Sequence, residues 1–329
     1  MNKIIQLFSD TVSASFGNPV RLRRLLAERP EFKAALIGPT ADIAMASVPR
    51  WQNIATASTG VARRRANRSE LLGWRRDGTR YGSFNAACPA LGGLVTKVVV
   101  KNWKCDLQDL HGFAASKSKL ETFDSTDEMV ETNSSEMIED VSAEGLRKNL
   151  AHDQIRVIGA NAGTDWLQVH QWDGRMYLVN DGGSHHLAAA KYIAARIGTP
   201  VAMTAPLVYY KVDAGAVAAL RAEYDVYLVN NESELSNAFF SAMEHDGATW
   251  LWHDMPAPYT GVRGIFLPRA ETLSMRVSGA FREAGFVDLG AHLEAVADRD
   301  TPDVISKYLP SHDHDGDGDV EDEQVTRYG

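Results

Sequence analysis

The spacing of apolar residues predicts a hairpin followed by a helix in the middle of the chain. Two short extended runs, 166–172 and 175–180, flank Asp173-Gly174, a pair that favours a tight hairpin turn. Between residues 185 and 197 the apolar positions recur at helical spacing, and Gly198 follows as a common type of helix end. The pattern therefore predicts strand, turn, strand and helix in that order.

The rest of the chain alternates between helical and extended patterns as well. Helical spacing covers residues up to about 45 and recurs at 143–150, 214–223, 232–244, 270–284 and 291–297. Extended patterns lie at 94–103, 154–158, 226–230, 249–252 and 264–267, with a further run at 201–212 that Pro206 is expected to break. This alternation predicts an α/β or α+β fold class.

Composition divides the chain into four predicted parts. Residues 1–116 are predicted to form an irregular N-terminal region with a basic stretch, and residues 117–145 an acidic linker or solvated helix. Residues 146–310 are predicted to form an α/β core and its extension. Residues 311–329 are strongly acidic and are predicted to be a disordered tail.

Bulk composition places the chain among ordinary globular proteins. It has 329 residues, of which 44% are hydrophobic and 23% charged. No run approaches the roughly 18 apolar residues of a membrane helix. The two cysteines, Cys88 and Cys105, indicate buried thiols rather than a disulfide framework. We therefore expect a cytoplasmic protein without a membrane partner, and nothing in the sequence decides whether it self-associates.

Charge is unevenly placed around a formal net charge of −9. Residues 51–104 contain ten basic side chains, seven of them arginines between Arg63 and Arg80, whereas residues 121–144 contain nine acidic side chains and no basic one. The basic stretch can meet a polyanion such as DNA, or it can face the chain's own acidic segment. The second interpretation is favoured because charge runs are usually solvated surface.

The turn before the predicted helix has the features of an anion site. Gly182 and Gly183 permit unusual backbone angles and close approach of a ligand, and the helix opens on Ser184, His185 and His186. A helix N-terminus directs unpaired N–H groups and a positive dipole at one small volume, which suits phosphate. The alternative, a Gly-Gly bend with a serine cap that serves only the fold, stays open.

Side chains at this turn add candidate chemistry. Asp181 can hold Mg²⁺ or accept a proton, and Ser184 can cap the helix and donate to phosphate. His185 and His186 lie about 100° apart around a helix, so we expect one to face the site and the other to pack or point outward. Walker, Gly-x-Gly-x-x-Gly and Gly-x-Ser-x-Gly motifs are absent from the sequence, and no structural metal is expected.

The hairpin, the Gly-Gly-Ser-His-His turn and the Ala-rich helix resemble the ParB/sulfiredoxin-like superfamily over residues 154–212. Members have related strings here, such as Gly-Gly-Cys-His-Arg and Asp-Gly-His-His-Arg. The resemblance implies a mixed-sheet core, a bound ATP or CTP with Mg²⁺, and phosphate contacts from residues 182–186. Ser184 stands in place of the sulfiredoxin cysteine, so that redox chemistry is not expected. His186 stands in place of the usual arginine, so Arg156 or the Arg63–Arg80 group would have to compensate.

Three functions follow as hypotheses. The first is nucleotide binding with phosphoryl transfer or hydrolysis, in which Asp181 is a Mg²⁺ ligand or base and His185 or His186 holds phosphate oxygens. The second is a non-catalytic protein-interaction module on the same fold. The third is DNA binding by the Arg63–Arg80 stretch, which is less favoured because no helix-turn-helix pattern follows the core. The predicted nucleotide-contacting residues are Gly182, Gly183, Ser184, His185, His186 and Arg156.

Overall fold

The computed structural model describes residues 18–57, 69–158, 164–300 and 305. The strands in these residues are β1 Glu70–Asp77, β2 Arg80–Ala87, β3 Val95–Asp106, β4 Leu110–Phe113, β5 Trp166–His170, β6 Met176–Val179, β7 Ala202–Val212, β8 Tyr224–Asn230, β9 Trp250–Asp254 and β10 Val262–Pro268. The helices are α1 Val20–Glu28, α2 Pro89–Gly93, α3 Thr126–Asn133, α4 Ala143–Leu150, α5 Ser184–Ile197, α6 Ala214–Glu223, α7 Ser233–Asp246, α8 Thr272–Glu283 and α9 Leu289–Ala297. The predicted α/β class is confirmed.

The strands form two five-stranded sheets. The antiparallel sheet has the order β2-β1-β9-β10-β8, with every neighbouring pair antiparallel. The mixed sheet has the order β3-β7-β5-β6-β4, in which β5 is parallel to β7 and β4 is parallel to β6. Among the described residues, no helix is long and apolar enough to cross a bilayer.

Alternation of side chains along the strands builds three apolar clusters. On β6, Leu178 belongs to the cluster beneath α5, whereas its neighbour Tyr177 belongs to a central cluster between the sheets. On β8, Leu228 belongs to the same central cluster, and Val229 belongs to the cluster that α1, α7 and α8 cover. Because successive strand side chains point to opposite faces, each sheet is packed on both sides.

Helix α5 is buried between the residues of the mixed sheet and helices α3 and α4, and its small side chains allow those helices to approach closely. Ala188, Ala189 and Ala190 are fully buried there, beside Leu187. The helix ends at Gly198 in the left-handed conformation, with φ of 67°, and this ending agrees with the prediction. Helices α3 and α4 pack against α5 from the outside. The N-terminal end of α5 is therefore held between the sheet and these two helices.

Several sequence-based boundaries are confirmed. The hairpin around Asp173-Gly174 forms, although its strands are shorter than predicted. The helices predicted at 143–150 and 214–223 have those bounds. Pro206 was expected to break the extended run at 201–212, but it lies within the continuous strand β7. The proline lies opposite a bulge in β3 between Val100 and Trp103 and has no register partner in that strand, and bulges are among the places where a sheet tolerates proline.

Other expectations differ from the structure. Residues 154–158 form turns rather than a strand. The N-terminal region is not irregular, because β1 and β2 form a hairpin whose strand β1 pairs with β9. Helical structure within residues 18–45 is limited to α1 and short 3₁₀ turns. The predicted division at residue 146 is wrong, because β3 and β4 belong to the mixed sheet.

The acidic segment was predicted to be a linker or a solvated helix; it contains helix α3, one side of which is packed in the core. Met129 and Val130 on α3 are fully buried in the cluster beneath α5. The acidic side chains of α3 occupy its outer face, and Arg196 of α5 makes ion pairs with two of them, Asp127 and Glu131. The predicted tail at 311–329 lies outside the described residues.

Candidate functional site

A cleft of about 690 Å³ opens at the N-terminal end of α5. Its walls come from the loop after β4, the segment between α3 and α4, the turn after α4, and the turn between β6 and α5. The lining residues are Ala115, Ser116, Lys117, Ser118, Asn133, Ser134, Glu136, Met137, His152, Gln154, Asp181, Gly182, Gly183, Ser184, His185 and His186. The predicted Asp181 to His186 segment therefore lines one wall.

The Gly-Gly turn has the backbone geometry that requires glycine. Gly182 and Gly183 have φ values of 117° and 74°, and both pack against Gln154. The N–H of Gly183 donates to Gln154 Oε1 at 3.1 Å, so this amide is already paired. Asn180 stabilises the turn and links it to the loop after β4, because its Nδ2 donates to the carbonyls of Gly182 and Ala115.

Gly183, rather than Ser184, is the N-cap of α5, which corrects the predicted serine cap. Ser184 is the first helical residue, and its buried hydroxyl donates to Ser116 Oγ at 2.9 Å. Gly183 has no side chain to pair with the helix amides. The first-turn N–H groups of Ser184, His185 and His186 therefore have no intrahelical acceptor and no side-chain cap from Gly183. Helix N-termini with unpaired amides are sites where anions commonly bind, and the prediction that this one does so stays a prediction.

His185 contacts a serine through each ring nitrogen. Its Nε2 lies 3.0 Å from Ser118 Oγ, and its Nδ1 is hydrogen-bonded to Ser134 Oγ. Asn133 Nδ2 donates to the same Ser118 Oγ at 2.7 Å. Burial lowers the pKa of His185, and the nearby charge of Lys117 lowers that pKa further. These effects favour the neutral imidazole.

One histidine was expected to face the site and the other to pack or point outward; both line the cleft, and His186 is the one that packs against neighbouring side chains. Its Nδ1 lies 3.1 Å from Asn149 Oδ1, and the Asn149 amide nitrogen donates to two backbone carbonyls. Because that amide oxygen can only accept, Nδ1 of His186 has the proton. The ring stacks on His152 with 3.8 Å between centroids. Burial, followed by the neighbouring His152 and His185, lowers the pKa of His186.

The charged residues of the cleft include one cation that the sequence did not suggest. Lys117 is exposed and lines the cleft with the carboxylates of Glu136 and Asp181. Arg156, the expected replacement for the missing arginine, is absent from the lining residues. Its Nη2 donates to the carbonyl of Asp181 at 2.9 Å, and its Nε lies 3.5 Å from the buried carboxylate of Asp165. Arg156 therefore braces the turn from outside the cleft.

The Arg63–Arg80 group does not supply an arginine to the cleft from its described members. Arg76 donates to the carbonyl of Glu244 at 2.7 Å, and the Arg75 guanidinium lies 4.8 Å from the centre of the Phe84 ring. Arg80 is exposed at the turn of the β1–β2 hairpin. The other arginines of the group lie outside the described residues, and DNA binding by the stretch stays a prediction.

The residues that sequence reasoning missed come from distant parts of the chain. Ser118 lies 67 positions before His185, and Ser134 lies 51 positions before it. Neither serine belongs to a motif. No described group of three or more histidine, cysteine or acidic side chains is arranged to hold a metal ion.

The chain belongs to a family of unknown function, DUF6685, whose model matches residues 100–303. This range covers more than half of the chain and every residue that lines the cleft. It begins after the β1–β2 hairpin, which lies at the edge of the antiparallel sheet. No curated protein and no solved structure matches the chain significantly.

Proposed function

We propose that the cleft at the N-terminus of α5 binds the phosphates of a nucleotide, ATP or CTP, as its Mg²⁺ complex. The observation that carries the proposal is that the first-turn amides of α5 have no side-chain cap and belong to residues that line a large polar cleft. Lys117 lines the same cleft. Unpaired amides, a helix dipole and a lysine together attract a phosphate chain. The resemblance to the ParB/sulfiredoxin-like superfamily points to the same ligand class.

The two carboxylates of the cleft are the reason for including the metal ion. Asp181 and Glu136 outnumber the single lysine of the lining, and they would repel free polyphosphate. Mg²⁺ is usually bound by one or two protein carboxylates together with substrate phosphates. Asp181, next to the glycine turn, is the carboxylate that we assign to this role. Its position agrees with the hypothesis that it is a Mg²⁺ ligand or a base.

The character of the lining favours a ligand site over a non-catalytic module. A module that had lost its ligand would be expected to fill the pocket with apolar side chains. Met137 is the only large apolar residue among the lining residues, which otherwise are mostly hydroxyl, amide, imidazole or charged groups. Buried polar groups without partners are costly, so a polar cleft of this volume indicates a polar occupant or water.

Thermal melts with each nucleoside triphosphate, with and without Mg²⁺, test the proposal. A nucleotide present at a hundredfold excess over its Kd should stabilise the protein by about 2.7 kcal/mol. We expect a shift with ATP or CTP that depends on Mg²⁺ and is smaller in the Asp181→Asn variant. The absence of a shift with every nucleotide would contradict the proposal and favour the interaction module.

A further inference from the structure

Ser118, His185 and Ser134 have the connectivity of a nucleophile, its base and a group that orients the base. Ser118 Oγ lies 3.0 Å from Nε2 of His185, and Ser134 Oγ is hydrogen-bonded to Nδ1 of the same ring. In the tautomer with the proton on Nδ1, the ring donates to Ser134 and accepts the Ser118 hydroxyl proton at Nε2. Such sites are recognised by this geometry and these roles rather than by sequence order.

Two further observations distinguish Ser118 from Ser134 as the nucleophile. Both serines line the cleft, but Ser118 is half-buried, whereas Ser134 is only 2% exposed. The Nδ2 of Asn133 donates to Ser118 Oγ at 2.7 Å, which occupies one lone pair and fixes the hydroxyl beside the imidazole. A reacting group in the cleft can therefore reach Ser118, while Ser134 is placed to hold the ring.

We propose that Ser118 is a covalent nucleophile, that His185 is its general base, and that Ser134 is a positioning residue acting through His185. The electrophile is the phosphorus of a phosphate ester or phosphoanhydride bound in the same cleft. The choice of a phosphorus centre rests on the proposed function, whereas the nucleophile and base follow from the contacts of Ser118 and His185 alone.

The proposed reaction has two balanced steps. In the first step, Ser118 Oγ bonds to phosphorus, its proton passes to Nε2 of His185, and the bond from phosphorus to the leaving oxygen breaks. The leaving oxygen then takes the proton from His185. In the second step, water attacks the phosphoserine and gives a proton to Nε2, and Ser118 Oγ leaves and takes that proton. The net reaction is hydrolysis of the phosphate ester, with His185 returned to its neutral form.

Labelling with a fluorophosphonate tests the nucleophile without any assumption about the natural substrate. The probe forms a serine–phosphorus bond with loss of fluoride, and peptide mass spectrometry locates the modified serine. We expect labelling at Ser118 that is absent in Ser118→Ala and unchanged in Ser135→Ala, because Ser135 is an exposed serine that does not line the cleft. Labelling elsewhere in the cleft, or none at Ser118, would overturn the proposal.

Variants of the other two residues test their separate roles. His185→Gln keeps a polar side chain but cannot act as the base, so labelling should slow by roughly 100-fold or more. Ser134→Ala should also slow it, and Ser134→Thr, which keeps the hydroxyl, should restore the rate. Equal labelling rates in wild type and His185→Gln, with both proteins folded by circular dichroism, would refute activation by His185.

The nucleophile proposal and the nucleotide proposal fail in different ways. Nucleotide-dependent melting shifts without Ser118 labelling would support the nucleotide site and contradict the assignment of Ser118 as the nucleophile. Ser118 labelling without any melting shift in the presence of nucleotides would support the activated serine and contradict the proposal that the ligand is a nucleotide. Phosphoserine detected at position 118 after incubation with a nucleoside triphosphate and Mg²⁺ would support both.

Discussion

Gly183 and Gly198, at the two ends of α5, both have a left-handed backbone conformation. Substituting each of them tests how closely the Gly-Gly turn packs against Gln154. Gly183 is the N-cap with φ of 74°, and Gly198 is the C-cap with φ of 67°. An alanine Cβ at Gly198 would have no atom within 4 Å, whereas at Gly183 it would lie 2.9 Å from the backbone oxygen of Gln154. The two substitutions share the backbone conformation and differ in crowding.

The expected losses of stability follow from this difference. A left-handed conformation costs an alanine roughly 1–2 kcal/mol, and reduced freedom of the unfolded chain offsets about 0.4–1 kcal/mol of that cost. Gly198→Ala should therefore lower the free energy of unfolding by about 1 kcal/mol. Gly183→Ala must in addition displace the Gln154 backbone, and such overpacking costs roughly 1–3 kcal/mol.

Urea unfolding followed by tryptophan fluorescence measures both variants against wild type. We expect Gly183→Ala to unfold at a clearly lower urea concentration than Gly198→Ala, with similar slopes for all three proteins. Equal destabilisation of the two variants would show that the turn yields easily at Gln154. It would thereby refute the close packing inferred for this wall of the cleft.

Three further predictions concern protonation, metal dependence and phosphate contacts. Burial lowers the pKa of His170 to about 4, so the unfolded chain binds a proton that the folded protein does not. The free energy of unfolding should fall by about 3 kcal/mol as the pH drops from 6.5 to 4, and less in His170→Gln, in urea titrations at each pH. In calorimetric titrations, Asp181→Asn should reduce the Mg²⁺ dependence of nucleotide binding, and unchanged dependence would remove Asp181 as a ligand. His186→Arg should tighten binding by about tenfold or more, because the neutral ring directs its Nδ1 proton at Asn149 and offers phosphate no donor, whereas a hydrogen bond from a charged group contributes roughly 1.5–3 kcal/mol; weaker binding would contradict a phosphate position beside residue 186.

Local sequence signals predicted the hairpin and α5 because their causes are local. The Asp173-Gly174 pair determines the turn at its own position, and the helical spacing before Gly198 involves residues only three or four positions apart. The same type of pair, Asp77-Gly78, lies at the turn of the β1–β2 hairpin, but the residues after it show no strand pattern. Strand β2 is exposed or half-buried along its length, so its sequence lacks the apolar alternation that marks a strand.

The opposite wall of the cleft could not be predicted from local patterns. Ser118 and Lys117 follow β4, a short strand that reaches the site because it pairs with β6 in parallel. Pairing between segments this far apart depends on the tertiary fold, and polar loop residues have no periodicity that indicates their partners. Arg156 shows the same limit, because it was expected to contact the ligand, but its guanidinium donates to the Asp181 carbonyl and the residue does not line the cleft.

Calorimetric titration of Mg²⁺–ATP and Mg²⁺–CTP into wild type, Lys117→Ala and Lys119→Ala tests the cleft most directly. Lys119 is an exposed lysine of the same loop that does not line the cleft, so it is the matched control. We predict saturable binding that weakens by roughly tenfold or more in Lys117→Ala, because a hydrogen bond to a charged group contributes about 1.5–3 kcal/mol, and that is unchanged in Lys119→Ala. No binding by wild type, or equal binding by all three proteins, would contradict a nucleotide site in this cleft.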